Sequence, residues 1–470
     1  MNPLSLQEIR QAVSGKALSA FRGDEQVRSV STDSRQPKPG SVFVALKGER
    51  FDAHEYLPQA AAGGSVAAIV DREPDVDLPN MKFIQVPDTR IALGRLATHV
   101  RGLMRKCRVI AVAGSNGKTT TKHLVQAALS CKLAGSISPK SFNNDVGVPI
   151  TIFDADPNQD YLVLEIGTNH RGEIRTLANI ARPDIAVITN CGAEHLEGLG
   201  DLRGVRQENA SIIEGMSSTG LLVIHGDDQE LRSAVRHFPG RIVTFGFEPT
   251  NDVWAEDVQV HDTGTSFRLN GRSTRVFVPM IGRHNALNAL AAIAVAKRFV
   301  LPEDEMILSL GQSSRPEMRM QRTDTPFLTL LNDAYNANPS SMLAGLNTLV
   351  DLESEGRRVA ILGDMKELGD HSERYHREIG RKVAEWRANI DLLITIGREA
   401  KFIAMDALSH KFPKSRVRSY EDVSRALPLI KLIREHDLIL LKGSRSMRLE
   451  TLVDPLKKLF AVRDAAEAVV

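Results

Sequence analysis

The sequence predicts an α/β protein of three domains. A central, mostly parallel sheet of the P-loop type is expected between a small N-terminal α/β domain and a Rossmann-like C-terminal α/β domain. The chain has 470 residues, too many for one ordinary core and enough for about three domains. Short apolar runs recur along it, each followed by a turn and a helical pattern. Two loop-like breaks divide this array.

The apolar runs are of the kind that is buried on both faces of a sheet. They span residues 108–114, 161–167, 184–190, 358–364, 391–397 and 437–443. Because amphipathic stretches of helix length follow them, we expect parallel strands joined by crossover helices. Between residues 241 and 280 the pattern changes to short alternating strands, which predicts a β-rich patch.

The domain boundaries follow from the two breaks. The first domain ends in the basic segment 101–108, and the second break, at 311–317, is loop-like and contains Pro316. The predicted domains are therefore 1–105, 106–312 and 313–470.

Composition and charge argue against several classes of function. Lys plus Arg number 60 against 58 for Asp plus Glu, so nothing indicates a nucleic acid or an acidic membrane surface as partner. The apolar runs fall short of the ~18 residues of a membrane span, and Glu8 and Arg10 interrupt the apolar N-terminus where a signal peptide would not. The three cysteines have no paired spacing and fit a reducing compartment. We expect a cytoplasmic monomer without nucleic-acid binding or membrane insertion.

The strongest motif is GSNGKTT at residues 114–120, which joins the strand at 108–114 to a helical stretch at 121–129. Glycines let backbone N–H groups close around phosphate oxygens, and a helix N-terminus adds partial positive charge. Lys118 is then placed to reach the β- and γ-phosphates of ATP, and the Thr119 hydroxyl to ligate Mg²⁺. An ordinary glycine-rich turn is the structural alternative, but the strand, GKTT and the helix together favour a nucleotide site. The predicted ATP-binding residues of the loop are Gly114, Ser115, Asn116, Gly117, Lys118, Thr119 and Thr120.

The loop departs from the common P-loop spacing, because Val112 occupies the position of the early glycine, six residues before Lys118. In this compressed form it resembles the nucleotide loop of the Mur ligase family, which includes folylpolyglutamate synthases. The resemblance covers essentially the whole chain. It continues in STDSRQPKPGSVFVALKGERFDAHEY (31–56), SFNNDVGVPIT (141–151), LEIGTNHRGEI (164–174), AEHLEGLG (193–200), GRHNALNALAA (282–292), NDAYNANPSSM (332–342), LGDMKELG (362–369) and LKGSRSMRLE (441–450).

The resemblance implies an ATP-dependent amide ligase that uses ATP and Mg²⁺. The segment YNANP, 335–339, is the most discriminating and resembles the branch that adds D-Ala-D-Ala to UDP-N-acetylmuramoyl-tripeptide in peptidoglycan precursor synthesis. That branch implies an acyl phosphate, formed by the substrate carboxylate on the γ-phosphate and displaced by the dipeptide amine. Another amide ligase of the family, acting for example on a folate, and a nucleotide-regulated binding module without ligation are the alternatives. Whether the third peptide residue is diaminopimelate or lysine is left open.

Two residues are predicted to complete a catalytic and metal site with the loop. Glu165 ends a buried strand, where a carboxylate needs a positive partner. A structural salt bridge is the alternative; the resemblance implies Mg²⁺ ligation. His195 follows the strand at 184–190 and could be a packed or surface histidine, but its AEHLEG setting implies Mg²⁺ as well. The predicted catalytic residues are Lys118, Glu165 and His195, and the predicted metal ligands are Thr119, Glu165 and His195.

The remaining candidates belong to the nucleotide and substrate sites. Asn285 and Asn288 share a helix face; helix capping is an alternative for Asn285, and the resemblance implies ATP contacts for both. It implies ATP contacts also for Arg319, Asp333 and Asn336. Structure explains part of YNANPSSM, since Asn338 before Pro339 predicts a helix start. The predicted substrate-binding residues are Ser34 and Arg35, for UDP, with Asn143, Asn144 and Lys442.

One position departs from the family pattern. Many relatives carry a carbamylated lysine shortly after the histidine motif, and an ungapped alignment puts Asn209 there. The adjacent Glu208 is expected to point elsewhere, because neighbours on a helix lie ~100° apart. A water network, another carboxylate or reduced activity could explain the change, and we favour an active enzyme with an altered second metal site. Because the candidates are spread over three domains, we also expect domain closure around ATP.

Overall fold

The first part of the chain forms a small, mostly parallel sheet. The computed structural model of the protein describes residues 1–18, 20, 24–36 and 38–459. Five strands have the order β2-β7-β6-β5-β4, with β2–β7 antiparallel and the others parallel. The elements are β1 (Leu4–Ser5), α1 (Leu6–Val13), β2 (Lys16–Ala17), β3 (Gln26–Val27), β4 (Ser29–Ser31), β5 (Ser41–Val44), α2 (Leu57–Ala62), β6 (Ala67–Val70), β7 (Lys82–Gln85) and α3 (Thr89–Leu103).

The central part is built on a nine-stranded sheet of order β16-β15-β14-β13-β12-β11-β8-β10-β9. Its elements are β8 (Arg108–Ala113), α4 (Lys118–Ser130), β9 (Gly135–Ile137), α5 (Gly147–Asp154), β10 (Tyr161–Glu165), α6 (Glu173–Ala181), β11 (Ile185–Ile188), α7 (Leu196–Leu199), α8 (Leu202–Ala210), β12 (Leu221–His225), α9 (Gln229–Val235), β13 (Arg241–Gly246), β14 (Val253–His261), β15 (Gly264–Leu269), β16 (Arg275–Val278), α10 (His284–Ala296) and α11 (Glu303–Gly311). The strands β9 to β13 and β8 pair in parallel. The β-rich patch predicted at 241–280 is confirmed: β14, β15 and β16 extend the same sheet as an antiparallel end.

The C-terminal part carries a six-stranded sheet of order β17-β18-β22-β19-β20-β21, parallel except for β17–β18. Its elements are β17 (Gln321–Asp324), β18 (Leu328–Asn332), α12 (Pro339–Asp351), β19 (Arg358–Gly363), α13 (Ser372–Glu385), β20 (Leu392–Ile396), α14 (Lys401–Ser409), β21 (Val417–Tyr420), α15 (Val423–Ala426), β22 (Asp437–Lys442) and α16 (Val453–Lys458). The predicted start of α12 is confirmed, since the Asn338 side chain caps it in a capping box with Ser341 and Pro339 is its first residue.

Packing links the first and central parts through one face of the nine-stranded sheet. A continuous hydrophobic cluster contains Leu6 and Ile9 of α1, Leu93 of α3, and Leu162 and Leu164 of β10. A second cluster fills the other face around the alanine-rich helix α10. Residues on α3 therefore share their core with the central sheet.

The predicted elements are largely confirmed, with one informative shift. All six apolar runs contain buried parallel strands. The helix after the phosphate loop begins at Lys118, three residues before the predicted start at Thr121, because Gly117 takes a left-handed φ of 81° and turns the chain directly into α4. Among the residues that the structure describes, no helix has the length and apolar character needed to cross a membrane.

Candidate active site

Parallel pairing brings the functional loops to one edge of the central sheet. Because β8, β10, β11 and β12 run in the same direction, the loops that follow them meet at their carboxyl ends. There the first, central and C-terminal parts enclose a cavity of about 1080 Å³. Sixteen of the predicted site residues line it: Ser115, Asn116, Gly117, Lys118, Thr119, Thr120, Asn143, Asn144, Glu165, His195, Asn285, Asn288, Arg319, Asp333, Asn336 and Lys442.

Three predicted residues lie outside the cavity lining. Gly114 forms the floor of the phosphate loop, with φ of 125°; a Cβ there would lie 2.1 Å from Thr189 Oγ1, so only glycine fits. Arg35 is exposed and pairs with Asp33, at 2.8 Å. The Ser34 hydroxyl donates to Gln59 Oε1 at 2.9 Å. The UDP role of Ser34 and Arg35 stays a prediction.

The phosphate loop is hydrogen-bonded to Asn190, in the segment that follows β11. Backbone N–H groups of Ser115 and Asn116 donate to the main-chain and side-chain oxygens of Asn190, at 2.9 and 3.1 Å. The Lys118 ammonium donates back to the carbonyls of Gly114, at 2.5 Å, and Ser115, at 3.3 Å. The lysine is thus folded onto the loop that is expected to surround the phosphates.

A polar cluster surrounds Glu165 at the end of β10. Its carboxylate accepts hydrogen bonds from Thr119 Oγ1 at 2.9 Å and Asn143 Nδ2 at 3.0 Å. The positive partner that a buried carboxylate requires is Lys122, whose Nζ lies 3.3 Å from Glu165 Oε2. Both side chains are almost fully buried, at 0% and 2% exposure. Glu165 therefore has the structural salt bridge that was the alternative to a metal role, and its ligation of Mg²⁺ stays a prediction.

Lys122 is the main residue that sequence reasoning missed. Its Nζ also donates to the carbonyls of Ser138, at 2.9 Å, and Lys140, at 2.5 Å, and so ties α4 to the segment before Asn143. Burial lowers the pKa of the Lys122 ammonium, and the nearby Glu165 carboxylate offsets part of this effect. A signal was present in the sequence: Lys122 follows Lys118 by four residues, which puts both on the same face of a helix.

His195 lies at the contact between the central and C-terminal parts. It adopts a left-handed φ of 48° before α7, uncommon for a residue other than glycine. Its Nδ1 lies 2.5 Å from Glu367 Oε2, on the C-terminal LGDMKELG segment. This contact lowers the pKa of the Glu367 carboxyl. Glu194 Oε2 is 3.8 Å from His195 Nε2 and 3.9 Å from Lys118 Nζ. Glu194 and Glu367 were not among the predicted residues.

The donor set fits a magnesium ion. Within the described residues, no group of three His, Cys, Asp or Glu side chains is arranged to hold a metal. Mg²⁺ rarely needs such a cage, because it is usually held by one or two carboxylates together with substrate phosphates and water. The Thr119 hydroxyl and the Glu165 carboxylate, 2.9 Å apart beside the phosphate loop, are oxygen donors of the required kind. The imidazole of His195 would be a less usual ligand for this ion.

The two asparagines of α10 are buried and paired with each other. Asn288 Nδ2 donates to Asn285 Oδ1 at 3.0 Å, and Asn285 Nδ2 donates to Ile281 O at 3.0 Å. A Cβ at Gly117 would lie 2.2 Å from Asn288 Oδ1. The pair therefore supports the back of the phosphate loop as well as lining the cavity, and its contact with ATP stays a prediction.

The C-terminal candidates reach the phosphate loop, so the structure has a closed arrangement. Arg319 Nη2 donates to Thr119 Oγ1 at 2.9 Å, and its guanidinium lies over the Tyr335 ring. Asn116 exchanges hydrogen bonds with Asn338 and Ser340 at the start of α12, both at 2.9 Å. The YNANPSSM segment thus docks on the loop. Behind it, Lys442 Nζ donates to Asp333 Oδ2 at 2.6 Å and to Asn336 O at 3.1 Å.

Asn209 and Glu208 lie on α8 outside the cavity lining. The buried Asn209 donates from Nδ2 to Val205 O within its own helix, at 3.0 Å, and its Oδ1 has no partner among the described residues. Glu208 does not line the cavity either, and its contacts differ from those of Asn209. It accepts hydrogen bonds from the backbone N–H groups of Gly172 and Ile174, at 2.7 and 2.8 Å. Glu208 is therefore engaged in holding the loop after β10 and is not free to replace the missing lysine.

Comparisons with known proteins match the whole chain. Family models match at residues 26–101 (Mur ligase family, catalytic domain), 112–296 (Mur ligase middle domain) and 318–445 (Mur ligase, glutamate ligase domain). The UDP-N-acetylmuramoyl-tripeptide–D-alanyl-D-alanine ligase of Bacillus subtilis (strain 168) is 36% identical over 96% of this chain and 98% of its own. The Escherichia coli (strain K12) ligase of the same name is 35% identical over 97% and 99%.

Solved structures agree. A crystal structure of MurF from Acinetobacter baumannii has a TM-score of 0.88 at 31% identity, covering 97% of this chain and 99% of that one. MurF ligase from Thermotoga maritima in complex with ADP has a TM-score of 0.82 at 26% identity, covering 93% and 99%.

Proposed function

This chain belongs to the Mur ligase family, and we propose that its cavity is the active site at which D-Ala-D-Ala is joined to UDP-N-acetylmuramoyl-tripeptide. The chain is an ATP-dependent ligase of peptidoglycan precursor synthesis. The observation that carries the proposed site is the meeting of Lys118, Thr119 and Glu165 of the central part with Arg319 of the C-terminal part in one cavity.

The proposed chemistry activates the tripeptide carboxylate as an acyl phosphate. A carboxylate is a poor electrophile, so its oxygen first takes the γ-phosphoryl group of ATP, and the bond to the β-phosphate breaks to release ADP. The amine of D-Ala-D-Ala then attacks the carbonyl carbon, loses a proton and displaces inorganic phosphate, leaving an amide. Such a reaction needs alignment and charge neutralisation and no covalent nucleophile on the enzyme.

The residues that bind ATP and Mg²⁺ would come from the central and C-terminal domains. Lys118 and Arg319 supply cations to the phosphates from the central and C-terminal parts, because the former sits in the phosphate loop and the latter already contacts Thr119. Thr119 and Glu165, with His195, would hold Mg²⁺, which supplies positive charge at the phosphate oxygens. Asn285, Asn288, Asp333 and Asn336 would contact the nucleotide.

Substrate recognition is proposed to involve the first domain. Ser34 and Arg35 would contact the uridine diphosphate, and Asn143, Asn144 and Lys442 the groups near the reacting carboxylate. We propose the domains 1–105, 106–312 and 313–470 and a monomeric enzyme. We also propose a cytoplasmic location, which the cysteines without paired spacing support because they fit a reducing compartment.

Phosphate release from ATP tests the proposal. With the tripeptide nucleotide present, release should require D-Ala-D-Ala, and the product should carry the mass of the amide. A folate with glutamate in place of the two substrates is the control and should give no release. Release that is indifferent to the dipeptide would contradict ligation, and a complete absence of release with all substrates would favour a nucleotide-regulated binding module.

A further inference from the structure

One cation of the cavity has no role in the chemistry just described. Arg171 lies in the loop that follows β10, six residues after Glu165, and its side chain lines the same cavity. Within the described residues it pairs with no carboxylate, and its hydrogen bond runs from Nη2 to Leu199 O at 3.0 Å. By contrast, Arg90 and Lys442, which also line the cavity, each contact an aspartate.

The backbone of the loop that carries Arg171 is bound by two carboxylates. The buried Glu208 carboxylate accepts from the N–H groups of Gly172 and Ile174, on the far side of Arg171. Glu173 Oε2 accepts from the N–H groups of Asn169 and His170, at 2.6 and 3.2 Å. These two carboxylates, which bind the loop of Arg171, are therefore engaged with backbone, which leaves the guanidinium charge available to a ligand.

The loop that carries Arg171 adjoins a segment of the central part that contacts the first domain. A Cβ at Gly167 would lie 2.8 Å from the Asn143 side chain, so the two loops adjoin. Two residues further along, Asp145 pairs with Arg90 at the start of α3 of the first domain, at 3.0 Å. The phosphate loop instead contacts α10 and the C-terminal part. The loop that carries Arg171 thus borders Asn143, which is proposed to bind near the reacting carboxylate of the peptide substrate.

We propose that Arg171 binds a second carboxylate of the tripeptide, one that does not react; the inference rests on the function proposed above. A related structure is named for the substrate alanyl-D-glutamyl-2,6-diaminopimelate. In such a peptide the glutamyl residue keeps one free carboxylate after forming one amide. Diaminopimelate keeps a second free carboxylate beside the one that is ligated, whereas lysine has none. Either group suits the planar donors of arginine.

This contact would be made equally in the ground state and the transition state, because it lies away from the reacting carboxylate. Its loss should therefore raise KM for the tripeptide nucleotide and leave kcat nearly unchanged. A charge-assisted hydrogen bond of this kind corresponds to a change in KM of about 10- to 100-fold.

The test compares Arg171→Gln, Arg171→Lys and the matched control Arg175→Gln on two tripeptide nucleotides, ending in diaminopimelate or in lysine. Glutamine keeps a donor for Leu199 O but removes the charge. Arg175 lines the same cavity four residues further on, with Glu214 3.9 Å away. We expect R171Q to raise KM for the peptide nucleotide about 10- to 100-fold, R171K to recover part of this, R175Q to change it little, and KM for ATP to stay constant.

The pattern across substrates identifies the carboxylate. If R171Q raises KM only for the nucleotide that ends in diaminopimelate, Arg171 binds the carboxylate of the third residue. If it raises KM equally for both nucleotides, Arg171 binds the glutamyl carboxylate. The proposal would be overturned if R171Q left KM unchanged for both nucleotides, or if R175Q raised KM by the same factor. A fall in kcat of R171Q together with a raised KM for ATP would also overturn it, because it would show a merely structural role. Wild-type protein that turns over neither nucleotide would refute the proposed function itself.

Discussion

Replacing Lys122 with methionine should destabilise the central part of the molecule more than any surface charge change. The substitution keeps most of the side-chain length and removes the ammonium, which has contacts to Glu165 Oε2 at 3.3 Å and to two carbonyls at 2.9 and 2.5 Å. With 2% exposure, the Glu165 side chain has little access to water that could replace the lost partner.

The expected magnitude follows from this burial. Removing one partner of a buried ion pair costs about 3–5 kcal/mol, because an uncompensated charge is left in a poorly polarisable setting. For a folding unit of about 200 residues this corresponds to a fall in melting temperature of roughly 6–20 °C. The magnitude is set by Glu165, so neutralising that carboxylate as well should recover about 1–3 kcal/mol in the double variant.

Calorimetry and urea denaturation of K122M, E165Q and K122M/E165Q measure these values. Lys132→Met is the matched control, since Lys132 pairs with Glu305 at 2.7 Å but both side chains are about half exposed; a surface pair contributes about 1 kcal/mol or less. The reasoning would be refuted if K122M lost no more stability than K132M, or if the double variant lost the sum of the two single losses.

Three further predictions concern separate parts of the site. Lys118→Ala should abolish turnover while circular dichroism stays that of the wild type; retained activity would contradict the phosphate-loop assignment. Glu208→Gln should reduce the free energy of unfolding by about 1.5–3 kcal/mol and speed hydrogen exchange at the two backbone amides it binds, and unchanged exchange would remove its anchoring role. Burial raises the pKa of the Cys107 thiol to about 11, so at pH 8 this thiol should resist iodoacetamide in the native protein; mass spectrometry should find the partly exposed Cys131 modified before it, and equal modification of the two would contradict the burial of Cys107.

Local patterns of the chain were enough to predict the architecture and much of the cavity. The buried strands correspond to apolar runs of strand length, and the start of α12 corresponds to the pair Asn338 and Pro339. Both patterns lie in neighbouring residues and could therefore be recognised in the sequence. Ten of the sixteen predicted residues that line the cavity, those between Ser115 and His195, lie at or after the carboxyl ends of parallel strands of the central sheet, which meet at one edge. The helix after the loop was placed three residues late, because the left-handed turn at Gly117 that starts it is a backbone conformation and not a pattern of polarity.

The partners of the charged residues could not be predicted from the sequence. Glu165 was expected to meet a cation, but Lys122 could be identified only when α4 and β10 were packed side by side. Glu367 lies 172 positions after His195 along the chain, and its contact depends on how the C-terminal part docks. Glu208 was expected to point in a different direction from Asn209, but its attachment to the loop that carries Arg171 was found only in the structure.

The sequence by itself was enough to predict the strands, the phosphate loop, the family and the reaction, because each prediction rests on motifs of residues that are close together along the chain. Only the tertiary structure decided which charges are satisfied within the protein and which, like Arg171, are left for a substrate. The physical reason is that the energy of a charge depends on its burial and on partners within about 4 Å, and those neighbours come from loops far apart in sequence that fold to the same edge of the sheet.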